Sequence, residues 1–194
     1  MPRLSDQLHE VARCVFAVEQ GRSLTEVLPQ VPSGLRPGVQ SLTFQVLRHL
    51  GTARAVARLL ARRPPAPAAL ALLHTALALL IGDGQGASYP PHTLVDQAVD
   101  AAKRGRDTRM QSGFLNACLR RYLRESPALL AQARQDPVAL WNHPAWWVDR
   151  VRRDHPAHWE AILAASNQPG PMVLRVNRRR TTRDAYAVQL AEQG

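Results

Sequence analysis

Lysine is all but missing from this chain: of its 25 basic side chains, Lys103 is the single one that is not arginine. The guanidinium fork suits phosphates and nucleobases, but a GC-rich coding sequence produces the same bias, so the preference alone assigns nothing. Cysteine is nearly as scarce. Cys14 and Cys118 lie in apolar, helix-spaced runs, "ARCVF" and "NACLR", which excludes a disulfide framework and points to a reducing compartment, the cytoplasm. Long hydrophobic stretches are absent too. The longest, "PAALALLHTALALLI", is too short to cross a bilayer and contains His74, and the opening "MPRLSDQLHE" has no apolar signal core, so no membrane role is expected. Acids are missing from Val27 to Gly82, a stretch that holds Arg36, Arg48, Arg54, Arg58, Arg62 and Arg63.

What the chain does have is apolar residues at helical spacing. At 194 residues and 45% hydrophobic it is long enough for one core and an appended subdomain. In residues 5–20, Leu8, Val11, Ala12, Val15 and Val18 form one face, with Ser5 available as a cap and Gly21 as a stop. The same reasoning predicts helices at about 23–31, 37–50, 52–62, 67–81, 92–104 and 110–125. "ESPALLAQA" adds a short one, with Ser126 as cap and Pro127 at the first helical position. The fold class expected is mainly α, a helical bundle over residues 1–136. Near residue 136 the composition changes: all four Trp fall between 141 and 159, in a segment punctuated by Pro137, Pro144, Pro156, Pro169 and Pro171. A second unit over 137–194 is expected, with two short helices ("HPAWWVDRVRRD", "HPAHWEAILAAS"), one strand at about 171–177 ("PMVLRVN") and a last helix starting at Thr181 or Thr182. The Trp cluster reads as a small local core rather than a base-stacking platform.

The net charge of +10 favours an anionic partner, and its placement says more than its size. Arg54, Arg58 and Arg62 recur every four residues and make one stripe on a helix. From Lys103 to Arg124, seven basic residues (Lys103, Arg104, Arg106, Arg109, Arg120, Arg121, Arg124) face one acid, Asp107. A solvated helix face ordinarily carries both signs, so these ten residues are the candidate phosphate contacts. Catalytic, metal and cofactor sites are not expected. "GDGQGA" at 82–87 satisfies G-x-G-x-x-G/A, but it follows an Ala- and Leu-rich run instead of a strand and precedes "SYPP" instead of a helix start. His155 and His158 lack companion ligands. Neither cysteine has the neighbours of a nucleophile.

The ordered segments "GRSLTEVLP", "FQVLRHL", "YPPHTLVDQAVDAAK", "GFLNACLRRYLR", "HPAWW" and "NQPGPMVLRVN" resemble, over essentially the whole chain, the N-terminal part of the bacterial RsmB (Fmu/Sun) methyltransferases. The all-α part resembles the NusB RNA-binding fold, most tellingly in "LNACLRR" with Asn116 and Arg120. The resemblance implies 16S ribosomal RNA as partner and 5-methylcytosine as product. That chemistry proceeds by Cys attack at C6, methyl transfer from S-adenosylmethionine to C5, and elimination. It also implies that "PMVLRVN" begins a small α/β linker subdomain, and that the methyltransferase domain, with its Pro-Cys and Thr-Cys-Ser motifs, lies further on. Neither motif occurs here, so the chain is expected to be inert alone and to bind no cofactor. The chain also departs from the family in carrying Asp6 and Gln7 where relatives often have a basic residue. A NusB-type antitermination or ribosome-assembly factor is the alternative, although such a protein has no use for "HPAWW" and "PMVLRVN". A helical protein-interaction module leaves the basic clusters unexplained.

Overall fold

A computed structural model describes residues 2–82, 89–171 and 173–193. Among these are ten α-helices: α1 (Leu4–Glu19), α2 (Leu24–Val27), α3 (Arg36–Leu60), α4 (Pro67–Gly82), α5 (Pro91–Arg104), α6 (Ser112–Ala133), α7 (Pro137–Trp141), α8 (Ala145–Asp154), α9 (Trp159–Ser166) and α10 (Arg183–Gln193). The expected loop "GDGQGAS" lies outside the described residues except for Gly82, which ends α4.

The bundle is organised around α4. Its apolar residues lie on every face, so it has no side to offer to water. It packs against α1, α3, α5 and α6, and Leu72, Leu73, Ala76, Leu77 and Ala78 are essentially inaccessible. Around it, α1 contributes Leu8, Val11 and Val15, and α6 contributes Leu115 and Leu119. The end of α1 follows from Gly21, whose φ of 86° lies in the left-handed region that a side chain disfavours. The Gly21 amide donates to Val18 O and the Arg22 amide to Ala17 O, which satisfies carbonyls left over at the helix end.

Two expected breaks do not occur. Residues 37–50 and 52–62 are a single helix, α3, because Gly51 serves close approach and not termination. A Cβ there would lie 2.5 Å from the Val138 carbonyl oxygen, so its absence lets α7 dock on α3. The separate helix expected at Ser126 is likewise the continuation of α6. The buried positions Leu115, Tyr122 and Leu129 keep their seven-residue spacing through Pro127, which sits on the exposed side, where the carbonyl deprived of its partner meets water.

The segment after residue 136 begins as part of the bundle. Asp136 caps α7 by accepting the Val138 amide at 2.9 Å, and Pro137 takes the first helical position. Ala139 is buried in the main core, so the structural seam falls at Asn142 and not at the compositional boundary of 136. There the chain reverses: Asn142 has φ 54° and ψ 31°, a conformation Asn tolerates better than other side chains. Its Oδ1 accepts the Thr52 amide at 2.8 Å, while the Thr52 hydroxyl donates to Ala139 O at 2.6 Å and lies 3.1 Å from the same Oδ1.

Beyond the seam Val148, Val151 and Leu163 form a second, small core with Trp141, Trp159 and Ile162. Trp141 and Trp159 meet edge to face at 5.1 Å, and the Arg152 guanidinium lies 4.4 Å from the centre of the Trp159 ring. Two of the four Trp therefore make the expected local core. Trp146 and Trp147 are instead exposed, at 69% and 38%.

The strand expected at 171–177 is not formed: residues 171 and 173–177 carry no regular secondary structure. The physical reason is the lack of a partner, since no other extended segment among the described residues offers a ladder to it. α10 follows, with Thr182 accepting the Ala185 amide at 3.2 Å, and it buries none of its described side chains. The amides of Val173, Leu174, Arg175 and Val176 are accordingly expected to exchange with solvent at nearly unprotected rates in hydrogen-exchange measurements on the monomer. Strong protection there would mean that the segment pairs with another copy.

Candidate nucleic-acid interface

The ten candidate residues divide by whether a carboxylate holds them. On α3, Arg54 donates through Nε to Glu19 Oε1 of α1 at 2.7 Å, and its Nη2 lies in an ion pair with the same oxygen at 2.7 Å. Arg58 donates to Asp136 Oδ2 at 3.1 Å. Arg62, in the bend beyond the end of α3, has no carboxylate partner among the described residues. The three residues line one groove of about 910 Å³ between the last turn of α1, α3 and the start of α4, together with Phe16 and Pro64. The helical stripe expected of these three therefore holds only Arg54 and Arg58, and Arg62 joins them in the groove from the bend that follows α3.

Glu19 anchors the floor of that groove. His74, 6% exposed in the middle of α4, places Nδ1 at 3.3 Å from Glu19 Oε1 without the alignment of a true hydrogen bond. Burial pushes the Glu19 carboxyl up, but His74 and then Arg54 outweigh it and hold the group below its ordinary value. A carboxyl with a lowered folded value adds stability above its unfolded value and loses it as pH falls through the folded one. Acid titration of the parent chain, followed by urea midpoints, is expected to show this loss. Glu19→Gln should be less stable at neutral pH and should vary less across the acid range.

In the second cluster Arg104 is engaged twice, by Asp100 at 2.8 Å along α5 and by Asp6 of α1 at 3.3 Å. Asp6 therefore binds α1 to α5. Arg121 pairs with Glu125 at 2.9 Å. The Nε of Arg120 donates to Asn116 Oδ1 at 3.0 Å, one helical turn away, so these two residues of "LNACLRR" brace each other on the exposed face. Lys103, Arg106, Arg109 and Arg124 are exposed and, with Arg120 and Arg62, have no carboxylate partner among the described residues.

The two clusters are not one patch along α1. Arg104 reaches its first turn and Arg54 its last, 13 residues apart from Asp6 to Glu19, or about 20 Å at the helical rise. They do adjoin elsewhere. The Ala66 amide donates to Gln111 Oε1 at 3.1 Å, which sets the loop carrying Arg62 and Arg63 against the turn carrying Arg109. Pattern reasoning missed Arg48 and Arg134, which are 86 positions apart in sequence yet line the same cleft. No periodicity could have joined them.

The cysteines are chemically quiet. Burial raises both thiols, offset in part by Arg13 at Cys14 and by Arg121 at Cys118. Among the described residues no three His, Cys, Asp or Glu converge as metal ligands, and no helix is long and apolar enough to cross a membrane.

A basic helical bundle with a partly neutralised cationic face, joined at Asn142 to a smaller helical unit, defines a mainly α module. Compared with family models, residues 8–124 match the NusB family and residues 143–194 match the ferredoxin-like domain described as Methyltr_RsmF/B-like. The chain belongs to the NusB family. It is 32% identical over 183 residues to Ribosomal RNA small subunit methyltransferase B of Citrobacter koseri, a match covering 91% of this chain and 42% of the relative. The protein of the same name from Pseudomonas putida is 44% identical over 105 residues, 54% of this chain and 24% of that one. The Vibrio cholerae protein is 29% identical over 181 residues, covering 91% and 41%. The chain thus spans about two fifths of the length of the relatives that match most of it.

Proposed function

We propose that this chain is the RNA-binding portion of a ribosomal RNA methyltransferase that makes 5-methylcytosine in 16S RNA in the cytoplasm. The observation carrying this reading is the tandem order of the two matches, NusB family followed by RsmF/B-like ferredoxin-like domain. A free-standing NusB-type antitermination factor has no use for the second. The cationic residues without carboxylate partners supply the physical means, because each phosphate neutralised releases a counterion.

Methyl transfer is assigned to the length of the relatives that this chain does not match. No S-adenosylmethionine site is expected in this chain: the single G-x-G-x-x-G/A sequence begins at the last residue of helix α4, whereas nucleoside-binding loops of that type leave a strand. Calorimetry with S-adenosylmethionine is expected to give only the heat of dilution. Filter binding to a 16S fragment should give an affinity that falls with salt by about 0.7 to 0.9 in log slope per phosphate neutralised. Micromolar cofactor binding, or no RNA binding at low salt, would overturn the reading.

A further inference from the structure

A second cleft, of about 550 Å³, opens where the first half of α3 meets the end of α4, the end of α6 and the turn after α9. Its volume suits one drug-sized or nucleotide-sized ligand. Among the described residues that line it are Arg48, Arg134 and His49, and no Asp or Glu. Neither arginine has a carboxylate partner among the described residues, although four of the candidate residues elsewhere are paired. Phe44 stands in the wall with 42% of its surface exposed, one of two half-exposed phenylalanines on the bundle. The amides of Gln45 and Gln168 line the cleft without a side-chain partner among the described residues. Gly82 leaves room for the His49 ring, 3.0 Å from where its Cβ would be. Burial, aided by Arg48, holds His49 below its ordinary value, so the neutral ring can donate at one nitrogen and accept at the other.

Together these groups offer a stacking face, two cations at the rim and amide donors and acceptors between them. Fixed cations attract a phosphodiester, an exposed ring takes the face of an unstacked base, and carboxamides read a base edge. We propose that this cleft binds one unstacked nucleotide of single-stranded RNA, with Phe44 against the base and Arg48 and Arg134 on the flanking phosphates. The assignment rests on the RNA-binding reading and adds a preference for unpaired RNA. The cation array on the other faces gives no such preference, because it reads charge alone.

The test compares a mixed-sequence single-stranded RNA, the same sequence as a perfect duplex, and free cytidine monophosphate. Phe44→Ala and the double variant Arg48→Gln with Arg134→Gln are set beside Phe16→Ala, a control in the other groove. Phe44→Ala is expected to weaken single-strand binding by about five- to a hundredfold and to leave duplex binding unchanged. The arginine pair should weaken single-strand binding with a shallower salt slope, and Phe16→Ala, in the groove lined by Arg54, Arg58 and Arg62, should shift single-strand and duplex binding alike. An iodouridine-substituted single strand, irradiated with the unaltered chain, should crosslink to the peptide containing Phe44, a readout that does not depend on any variant folding. The proposal is overturned if Phe44→Ala and Phe16→Ala behave alike and the crosslink falls elsewhere. Cytidine monophosphate binding as tightly as RNA would overturn it in favour of a free-nucleotide site. Failure of the parent chain to bind any RNA refutes the proposed function itself; RNA binding with Phe44 irrelevant refutes the cleft alone.

Discussion

Replacing Arg106, Arg109, Arg120 and Arg124 together by Gln lowers the affinity of the chain for a 16S RNA fragment by more than about tenfold and shallows the salt dependence by about 0.7 to 0.9 for each phosphate no longer neutralised. These four are chosen because they are exposed and no carboxylate among the described residues holds them. Glutamine keeps a long, helix-compatible side chain, so circular dichroism should be unchanged. Arg54→Gln is the informative contrast. It leaves Glu19 half-buried against His74 without its arginine partner, so it should lower stability while the folded fraction binds RNA nearly as before. If the fourfold variant binds as tightly as the parent at the same salt, the exposed arginines are a solvated face and the RNA-contacting role lies elsewhere.

Gly51→Ala should destabilise the chain by about 1 to 3 kcal/mol, the usual range for overpacking. The added methyl would meet backbone, the Val138 carbonyl at 2.5 Å and the Asn142 Cα at 3.1 Å, and not the flexible end of a side chain. Thr52→Val keeps the shape but removes the hydroxyl that donates to Ala139 O, and leaving that buried acceptor unpaired costs about 1 to 3 kcal/mol. Both changes act on one joint, so the double variant should lose less than the sum. Urea unfolding followed by the fluorescence of the four tryptophans, all between 141 and 159, reads this region. Unchanged midpoints in both variants would show that α7 can leave α3 at no cost.

Apart from α4, which is apolar all round, the long helices of the bundle were legible in the sequence because each carries one buried face at the helical period, as Leu8, Val11 and Val15 do. What was not legible depended on partners remote in sequence. Gly51 has the chemistry of a helix break, and only the carbonyl of Val138, 87 positions away, makes it a contact. Pro127 has the chemistry of a helix start, and only the exposed face it occupies lets α6 run on. "PMVLRVN" has the alternation of a strand, but alternation states a preference that a ladder must satisfy. Among the candidate phosphate-binding residues, the arginines and their spacing were readable from the chain. Spacing could not show that Glu19 and Asp136 reach back to Arg54 and Arg58, nor that Arg48 and Arg134 share a cleft.

Lys103, exposed in the last turn of α5, is the chain's single lysine. Enzymes that acetylate lysine can therefore remove only one of its 25 basic charges. The attraction for anionic partners is in effect permanent, beyond reach of the commonest charge-erasing modification. The same scarcity offers a practical handle. An amine-directed dye has one side chain to find, at the edge of the cationic face, once the amino terminus has been capped at near-neutral pH, where its lower pKa, about 7.7 to 8.0 against about 10.4, makes it react first. A single fluorophore there would report RNA arrival without any engineered cysteine.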